Sequence, residues 1–265
     1  MNYLNSKPLV EGLAEAAPYL RVTYDLPSRL ADALAEDRLD VALLPVFELF
    51  RQPDWQIVSD ACVACRGPVW SVKLLFRVPP AEVRTLDLDE GSRTSAALAQ
   101  VLLRRQFGLK PKLGTLPIGS GIKDSTADAV LLIGDRAMFE IREPCVEVWD
   151  LGERWWQWTG LPFVFAAWIA RSSVDLSLVS PELSAARDRG LTQTDAIVDR
   201  EAGRLGLEKS LAHDYLRNML RFRLRKPERR GLAMFYRQCV ELSLVAPRKD
   251  SLVQGISVDD CTLVR

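Results

Sequence analysis

The sequence predicts an α/β protein with two lobes, two hinge strands and a central cleft between the lobes. Short apolar strands alternate with a helical segment over residues 20–45, which is typical of a parallel sheet. Two longer apolar runs, Val69–Val78 and Phe163–Ala170, enclose a block with strands and a helix of its own. The pattern after Ala170 is helical. We therefore predict a discontinuous first lobe, residues 1–75 and 166–265, and a second lobe, residues 76–165.

The first predicted element is a helix that starts within Tyr3–Leu9. Either Asn5 or Ser6 can cap it, and Pro8 suits its first turn. The backbone N–H groups at such a start are able to bind an anion, although an ordinary structural helix begins in the same way. Apolar residues then follow at helical spacing: Leu9, Leu13 and Ala16.

The rest of the first lobe before the hinge is predicted as strand, helix and strand. Leu20–Tyr24 is a strand-like run, Ser28 can cap the helix that follows, and Asp40–Pro45 is a short apolar strand with a breaker. Two further β-like runs are Trp55–Val58 and Ala61–Ala64.

The second lobe is predicted around one clear helix, which Ser92 caps and Gly108 ends. The strands expected near it are Lys112–Leu116, Asp128–Ile133 and Val146–Trp149. In the C-terminal part, two helices carry apolar faces made of Leu211, Tyr215 and Met219 and of Leu232, Phe235, Cys239 and Leu242.

Composition excludes several classes of protein. The 265 residues are 48% hydrophobic and carry 35 basic and 35 acidic side chains, so no net charge favours nucleic acid or a membrane surface. No apolar run approaches the roughly 18 residues of a membrane span, and no signal peptide is visible. Five scattered cysteines are typical of a reducing cytoplasm. The composition leaves the oligomeric state open.

Metal and histidine chemistry are not expected. Cys62 and Cys65 have CxxC spacing but no second pair, and two small buried strand residues explain them better than a zinc or redox site. His213 is the single histidine and is expected to face solvent, which argues against a His-based triad. We predict no metal and no cofactor. The tryptophans Trp155, Trp156 and Trp158 are interpreted as packing between lobes, with a pocket wall as the alternative.

The candidate site combines segments that follow strands, where ligands gather in open α/β sheets. The strongest anion cradle is Ser92–Ser95, which brings hydroxyls, an arginine and helix N–H groups together, with plain N-capping as the alternative. Asp135 is a candidate base or a cap, Ser71 matters if its strand crosses the cleft, and Glu48 is interpreted as a solvated or hinge carboxylate. The segments concerned are 5–6, 44–48, 91–95 and 134–135, with 119–121 as a weaker fifth.

The motifs, in their order and spacing, resemble the chorismate dehydratase family of the futalosine route to menaquinone. They are Tyr3–Leu9, Asp40–Val46, Gly67–Val72, Ser92–Ser95, Ile133–Asp135, Leu220–Leu224 and Glu228–Leu232. The resemblance implies the two-lobed fold of periplasmic solute-binding proteins. The family has a short strand before the first motif, whereas Met1 and Asn2 stand there in this sequence. We expect either a start further upstream or a first lobe without the edge of its first strand.

The resemblance also implies a reaction, the loss of water from chorismate to give 3-[(1-carboxyvinyl)oxy]benzoate in the cytoplasm. It implies that Asn5 and Ser71 position the enolpyruvyl or hydroxyl end and that Asp135, or the substrate's own carboxylate, handles the proton. The implied substrate-binding residues are Ser6, Ser92, Arg93, Thr94, Ser95 and Gly134. The alternatives are a solute-binding protein for a small carboxylate and, less favoured, the effector domain of a regulator.

Overall fold

Two β-sheets with helices packed on them form the computed structural model, which describes residues 3–139, 141 and 143–248. The strands in chain order are β1 (Val41–Pro45), β2 (Trp55–Cys65), β3 (Val72–Phe76), β4 (Thr85–Asp89), β5 (Lys112–Leu116), β6 (Ala129–Ile133), β7 (Glu147–Asp150), β8 (Phe163–Arg171) and β9 (Leu220–Arg223).

The helices are α1 (Leu13–Ala16), α2 (Pro27–Ala35), α3 (Val46–Arg51), α4 (Arg93–Phe107), α5 (Leu151–Thr159), α6 (Val179–Thr192), α7 (Thr194–Leu205), α8 (Lys209–Asp214) and α9 (Lys226–Glu241). Short 3-10 turns occur at Leu4–Leu9, Pro80–Glu82, Ile122–Asp124 and Asp135–Met138, and a π-helical turn at Tyr215–Met219 follows α8 directly. The first predicted helix is therefore a 3-10 turn, with α1 starting only after Gly12.

The strand orders are β1-β8-β2-β9 in the first sheet and β5-β4-β6-β3-β7 in the second. This arrangement confirms the two-lobed α/β fold class. The parallel sheet predicted from residues 20–45 is wrong for the first sheet, where β1 pairs antiparallel with β8. The pairing differs because the neighbour of β1 is β8, which is far away in the sequence, and not an element next to β1 in the sequence. Parallel pairing occurs in the second sheet, between β4 and its neighbours β5 and β6.

Three predicted strands differ in extent. Val69–Val78 is reduced to β3, and the runs at 55–58 and 61–64 join into β2, whose register shifts between Ile57 and Cys62 where it pairs with β8. Leu20–Tyr24 is not a strand, although a cavity of about 800 Å³ lies between this segment and β1. The chain passes between the sheets within 66–71 and again between 150 and 163, so the lobe boundaries at 75 and 166 stay predictions.

A single hydrophobic cluster runs through both sheets and fixes their relative position. Trp155 of α5 is fully buried against Phe163 and Phe235, with ring centroids 5.2 and 6.0 Å away, and its indole N–H donates to the Pro162 carbonyl at 3.3 Å. Packing is therefore the role of this tryptophan, as expected. Within the described ranges, no helix is both long and apolar enough to cross a bilayer.

Candidate functional site

A narrow cleft lies where the two sheets meet, with a cavity volume of about 50 Å³. Its wall is formed by the ends of β1 and β6, Phe165 and Ala166 of β8, Val63 of β2, and Val69 and Ser71 of the crossing segment with Val72 at the start of β3. Among the described residues, the side chains that line it include none that is charged and no histidine. The polar residues that line it are Tyr3, Asn5, Ser71, Ser92, Thr94 and Ser95.

Asn5 and Ser71 are joined through Tyr215, the first residue of the π-helical turn. The fully buried Tyr215 hydroxyl donates to Oγ of Ser71 at 2.7 Å, and the Asn5 side chain is a second hydrogen-bond partner of the same hydroxyl. Oδ1 of Asn5 is buried without a hydrogen-bond partner in the protein, so its amide N–H is the group that binds Tyr215. We call these three residues the Asn5–Tyr215–Ser71 network.

Ser71 is held in place by the chain on either side of it. Trp70 has a φ of +64°, a conformation that is strained for a bulky residue. Asp150 holds this turn, because its carboxylate accepts from the N–H groups of Val69 at 3.0 Å and Trp70 at 2.6 Å while it also caps α5. Burial raises the pKa of Asp150, and the backbone donors oppose that rise.

Gly134 connects the end of β6 to the same place. Its N–H donates to the Ser71 carbonyl at 2.9 Å. Its φ is +74°, and a Cβ there would lie 2.6 Å from Cε1 of Tyr3. The glycine thus allows the Tyr3 ring to pack directly on the backbone. Burial and the nearby Asp89 carboxylate raise the pKa of Tyr3 to about 12, so its hydroxyl stays protonated.

The start of α4 forms the opposite wall. Oγ of Ser92 accepts from the Ser95 N–H at 3.2 Å, and Oγ1 of Thr94 accepts from the Phe47 N–H at 3.2 Å. The hydroxyl hydrogen of Thr94 remains available as a donor after it accepts this bond. The Ser92 N–H donates to the Asp89 carbonyl at 3.1 Å, so the hydroxyls and the positive end of the helix dipole are what this wall offers to an anion.

Arg93 points away from the cleft wall, which differs from its predicted place in the anion cradle. Its guanidinium lies 3.0 Å from Oε2 of Glu48 and 3.6 Å from Oδ1 of Asp32, both in the first lobe. Glu48 is only 2% exposed and also lies 3.4 Å from Arg51. The interpretation of Glu48 as a solvated carboxylate is therefore wrong. Its ion pair with Arg93 connects the two lobes.

Ser6 and Asp135 also lie outside the cleft wall. The Ser6 hydroxyl donates to the Tyr3 carbonyl at 2.8 Å within the first turn. Oδ1 of Asp135 accepts from the Leu4 N–H at 3.2 Å, which anchors the turn that carries Asn5. Burial raises the pKa of Asp135 to about 6, while the Leu4 N–H and Lys7 oppose that rise.

Among the described residues, those of metal or redox chemistry form no comparable site. Burial raises the pKa of the Cys62 and Cys65 thiols well above the usual value, as expected for strand residues inside a core. Half-exposed His213 lies 3.1 Å from Asp195, away from the cleft. In the part of the chain that the structure describes, no group of three or more His, Cys, Asp and Glu side chains could hold a metal ion.

Sequence reasoning missed Tyr3, Tyr215 and Asp150. Tyr3 belongs to the first motif, Tyr3–Leu9, and stands two residues before Asn5. Tyr215 was read as one apolar residue of a helical face, and a π-helical turn has no recognised sequence pattern. Asp150 follows an apolar run and precedes a helix, which is the signature of the N-cap that it forms.

The family comparison covers nearly all of the described chain. Residues 1–241 match the family described as menaquinone biosynthesis. A chorismate dehydratase of Thermus thermophilus is 33% identical in an alignment of 233 positions, and the match covers 81% of this chain and 85% of the relative.

Solved structures confirm the fold. A protein of Archaeoglobus fulgidus superimposes with a TM-score of 0.65 at 13% identity, over 92% of this chain and 96% of that chain. The periplasmic aliphatic sulphonate-binding protein SsuA of Escherichia coli gives 0.62 at 15% identity, over 96% and 92%. A Candida albicans protein with the generic periplasmic binding protein fold gives 0.62 at 13%, over 94% and 90%. Because the family match extends over residues 1–241, the chain belongs to the menaquinone biosynthesis family.

Proposed function

We propose that this protein eliminates water from chorismate and releases 3-[(1-carboxyvinyl)oxy]benzoate, the first step of a futalosine-type route to menaquinone. The observation that carries the proposal is the pair of neutral groups in the cleft, the Ser71 hydroxyl and the unpartnered Oδ1 of Asn5. Support comes from the family match and from the relative whose name is chorismate dehydratase. The reaction makes the protein a hydro-lyase, and its place in biosynthesis favours the cytoplasm.

The chemistry asks little of the protein beyond position and hydrogen bonds. A ring C–H bond and the neighbouring C–OH bond break, the electron pair of the former closes an aromatic ring, and the proton and hydroxide leave as one water molecule. No electron is gained or lost overall, so the stoichiometry needs no oxidant. The protein has to bind a dianion, orient the C–H bond and assist the departing hydroxyl.

The residues of the cleft suit those tasks. One substrate carboxylate binds at the start of α4, where Ser92, Thr94 and Ser95 supply hydroxyl donors near the positive end of the helix. The Ser71 hydroxyl donates to the departing oxygen, and Oδ1 of Asn5 accepts from a substrate hydroxyl. Gly134 contributes backbone shape, since its hydrogen bond to Ser71 uses its own N–H.

The remaining predicted site residues have supporting roles in this proposal. Arg93 links the lobes through Glu48, and Ser6 and Asp135 hold the turn that carries Asn5. Because no charged side chain of the described residues lines the cleft, the substrate's own carboxylate is the base we favour. Asp135 was the other candidate, and its bond to Leu4 directs its carboxylate toward the backbone.

Two truncations test the proposal directly. We expect Asn5→Ala and Ser71→Ala each to lower the rate of chorismate conversion by about 100-fold, the usual cost of removing one preorganised polar group. Ser59→Ala is the matched control, because Ser59 is buried in β2 and bonds to Ser184 outside the cleft. Turnover unchanged in Asn5→Ala and Ser71→Ala would remove the roles given to these residues. A wild-type protein that binds chorismate and leaves it intact would favour the solute-binding alternative.

A further inference from the structure

The Asn5–Tyr215–Ser71 network contains one residue whose hydroxyl lies outside the cleft wall. Tyr215 is fully buried, and its ring packs near Trp70 with centroids 6.3 Å apart. Its hydroxyl reaches both polar groups that the proposed reaction uses, one from the N-terminal turn and one from the crossing segment. It is therefore the single described side chain that joins these two groups.

The direction of each hydrogen bond follows from what each group can donate. The Asn5 amide N–H donates to the Tyr215 oxygen, because Oδ1 of Asn5 is the unpartnered atom. The Tyr215 O–H donates to Oγ of Ser71. A serine hydroxyl has only one hydrogen, so Ser71 is left with its own O–H as a donor toward the cleft. The network thus presents one donor, from Ser71, and one acceptor, from Asn5, to a ligand.

The backbone around Tyr215 is arranged for this contact. A π-helical turn starts at Tyr215, immediately after α8, and such turns are rare and frequently found at functional sites. Burial raises the pKa of Tyr215, so the hydroxyl keeps its proton and acts as a fixed donor at every working pH. A protonated hydroxyl at this place sets the direction of the hydrogen bonds to Asn5 and Ser71.

We infer that Tyr215 is a positioning residue, which orients the Ser71 hydroxyl as a donor and the Asn5 amide oxygen as an acceptor toward the substrate. This inference rests on the proposed dehydration of chorismate. Without the Tyr215 hydroxyl, the Ser71 hydroxyl rotates freely and donates elsewhere for part of the time. The Asn5 side chain loses the hydrogen bond from its amide N–H to Tyr215, which fixes the orientation of Oδ1.

The test uses Tyr215→Phe, Ser71→Ala and the double variant, with kcat and KM measured on chorismate. We expect Tyr215→Phe to lower kcat by about 10- to 30-fold, since a hydrogen bond that aims another group is worth roughly 1.4 to 2 kcal/mol. KM should change by less than about threefold, because binding of the carboxylates is untouched. In the Ser71→Ala background, Tyr215→Phe should lower kcat by less than about twofold, because the hydroxyl that Tyr215 orients is already absent.

The pH profile separates positioning from proton transfer. Tyr215→Phe should keep the shape of the kcat profile and lower it uniformly, whereas loss of a titrating acid or base would remove one limb. Tyr236→Phe is the matched control, because its hydroxyl accepts from the Arg248 N–H at 2.5 Å, remote from Ser71. We expect wild-type kinetics from this control.

A second substitution guards against loss of folding in Tyr215→Phe. The residue 4-aminophenylalanine at position 215 restores a hydrogen-bond donor on a ring of nearly the same shape. Because a typical hydrogen bond contributes only about 1 kcal/mol, we expect kcat of this variant to lie within about fivefold of the wild-type value. Wild-type kcat in a folded Tyr215→Phe, or fully multiplicative effects in the double variant, would overturn the inference. So would failure of the 4-aminophenylalanine protein to turn over while folded. A wild-type protein that does not convert chorismate would instead overturn the proposed function.

Discussion

At the scale of single residues, the cleft works with neutral groups whose directions are fixed by their neighbours. Ser71 is oriented by Tyr215, Asn5 is carried by a turn that Asp135 anchors, and Thr94 is tied to Phe47. Each of these contacts joins segments far apart in the sequence. The motifs identified Asn5 and Ser71, whereas the partner that orients them became visible only in the folded chain.

Asp135 provides a prediction at this scale. Its pKa rises from 3.8 unfolded to about 6 folded, so the folded protein binds more protons than the unfolded chain between those values. Stability from this residue is therefore highest at low pH, falls as pH rises from about 4 to 6, and stays lower above that. Asp135→Asn keeps an oxygen for the Leu4 N–H and removes the charge. We expect the variant to gain about 2 kcal/mol relative to wild type between pH 4 and pH 7.

Chemical unfolding of both proteins at several pH values measures this difference, in which the other carboxylates cancel. Turnover should persist in Asp135→Asn, because the proposal gives this side chain no contact with substrate. A variant that is folded and inactive would show that Asp135 handles the proton after all, and the supporting role would be abandoned.

At the scale of elements, close backbone contacts place the turn that carries Asn5. Helix α6 packs on this turn through Gly190, where a Cβ would lie 2.1 Å from the Pro8 carbonyl oxygen. No side chain other than hydrogen fits that approach without displacement. The sequence predicted helices after Ala170, and nothing in the pattern indicated that a glycine of one of them touches the first turn.

We therefore expect Gly190→Ala to lower the free energy of unfolding by about 1–3 kcal/mol, the usual effect of overpacking. The turn must also move, so kcat on chorismate should fall. Gly203→Ala in α7 is the matched control, since no atom lies within 4 Å of the added Cβ. That control should be slightly stabilised, by about 0.5–1 kcal/mol, because alanine favours a helix interior. Thermal unfolding and turnover of both variants decide the matter, and equal behaviour of the two would contradict the packing argument.

Elements also show why sequence reasoning succeeded in part. The α4 helix was predicted with its cap at Ser92 and its end at Gly108, because both signals are local and act without partners. Leu20–Tyr24 has a strand-like composition and is not a strand, because a strand requires a neighbour that local pattern cannot supply. The sequence also did not predict the antiparallel pairing of β1 with β8, because the local pattern does not show which strand will be the neighbour.

At the scale of the whole molecule, the cleft is closed around too little space for the proposed substrate. About 50 Å³ holds only a few water molecules, since one water needs roughly 10–15 Å³ in this measure. The lobes must therefore separate to admit a ring with two carboxylates. Contacts that span them, such as Arg93 with Glu48 and Thr94 with Phe47, stabilise the closed form.

The Arg93–Glu48 pair gives a prediction for this motion. Arg93→Met leaves the Glu48 carboxylate, which is 2% exposed, with Arg51 as its remaining cation at 3.4 Å. We expect a loss of stability of about 1–3 kcal/mol and a larger radius of gyration in solution scattering. Glu48→Gln in the same chain should recover part of the loss, because the unpaired buried charge is removed. If Arg93 does not pair with Glu48, the effects of Arg93→Met and Glu48→Gln on stability will add in the double-mutant cycle, and this result would contradict the prediction.

The central claim is that this cleft removes water from chorismate. The most direct measurement is a proton NMR time course of chorismate with the purified protein, beside chorismate alone. The account predicts the aromatic signals of 3-[(1-carboxyvinyl)oxy]benzoate, appearing faster than the spontaneous decay of chorismate and about 100-fold more slowly with Ser71→Ala. Chorismate signals that persist unchanged while the protein gains thermal stability would contradict the account and identify a protein that binds the dianion without converting it.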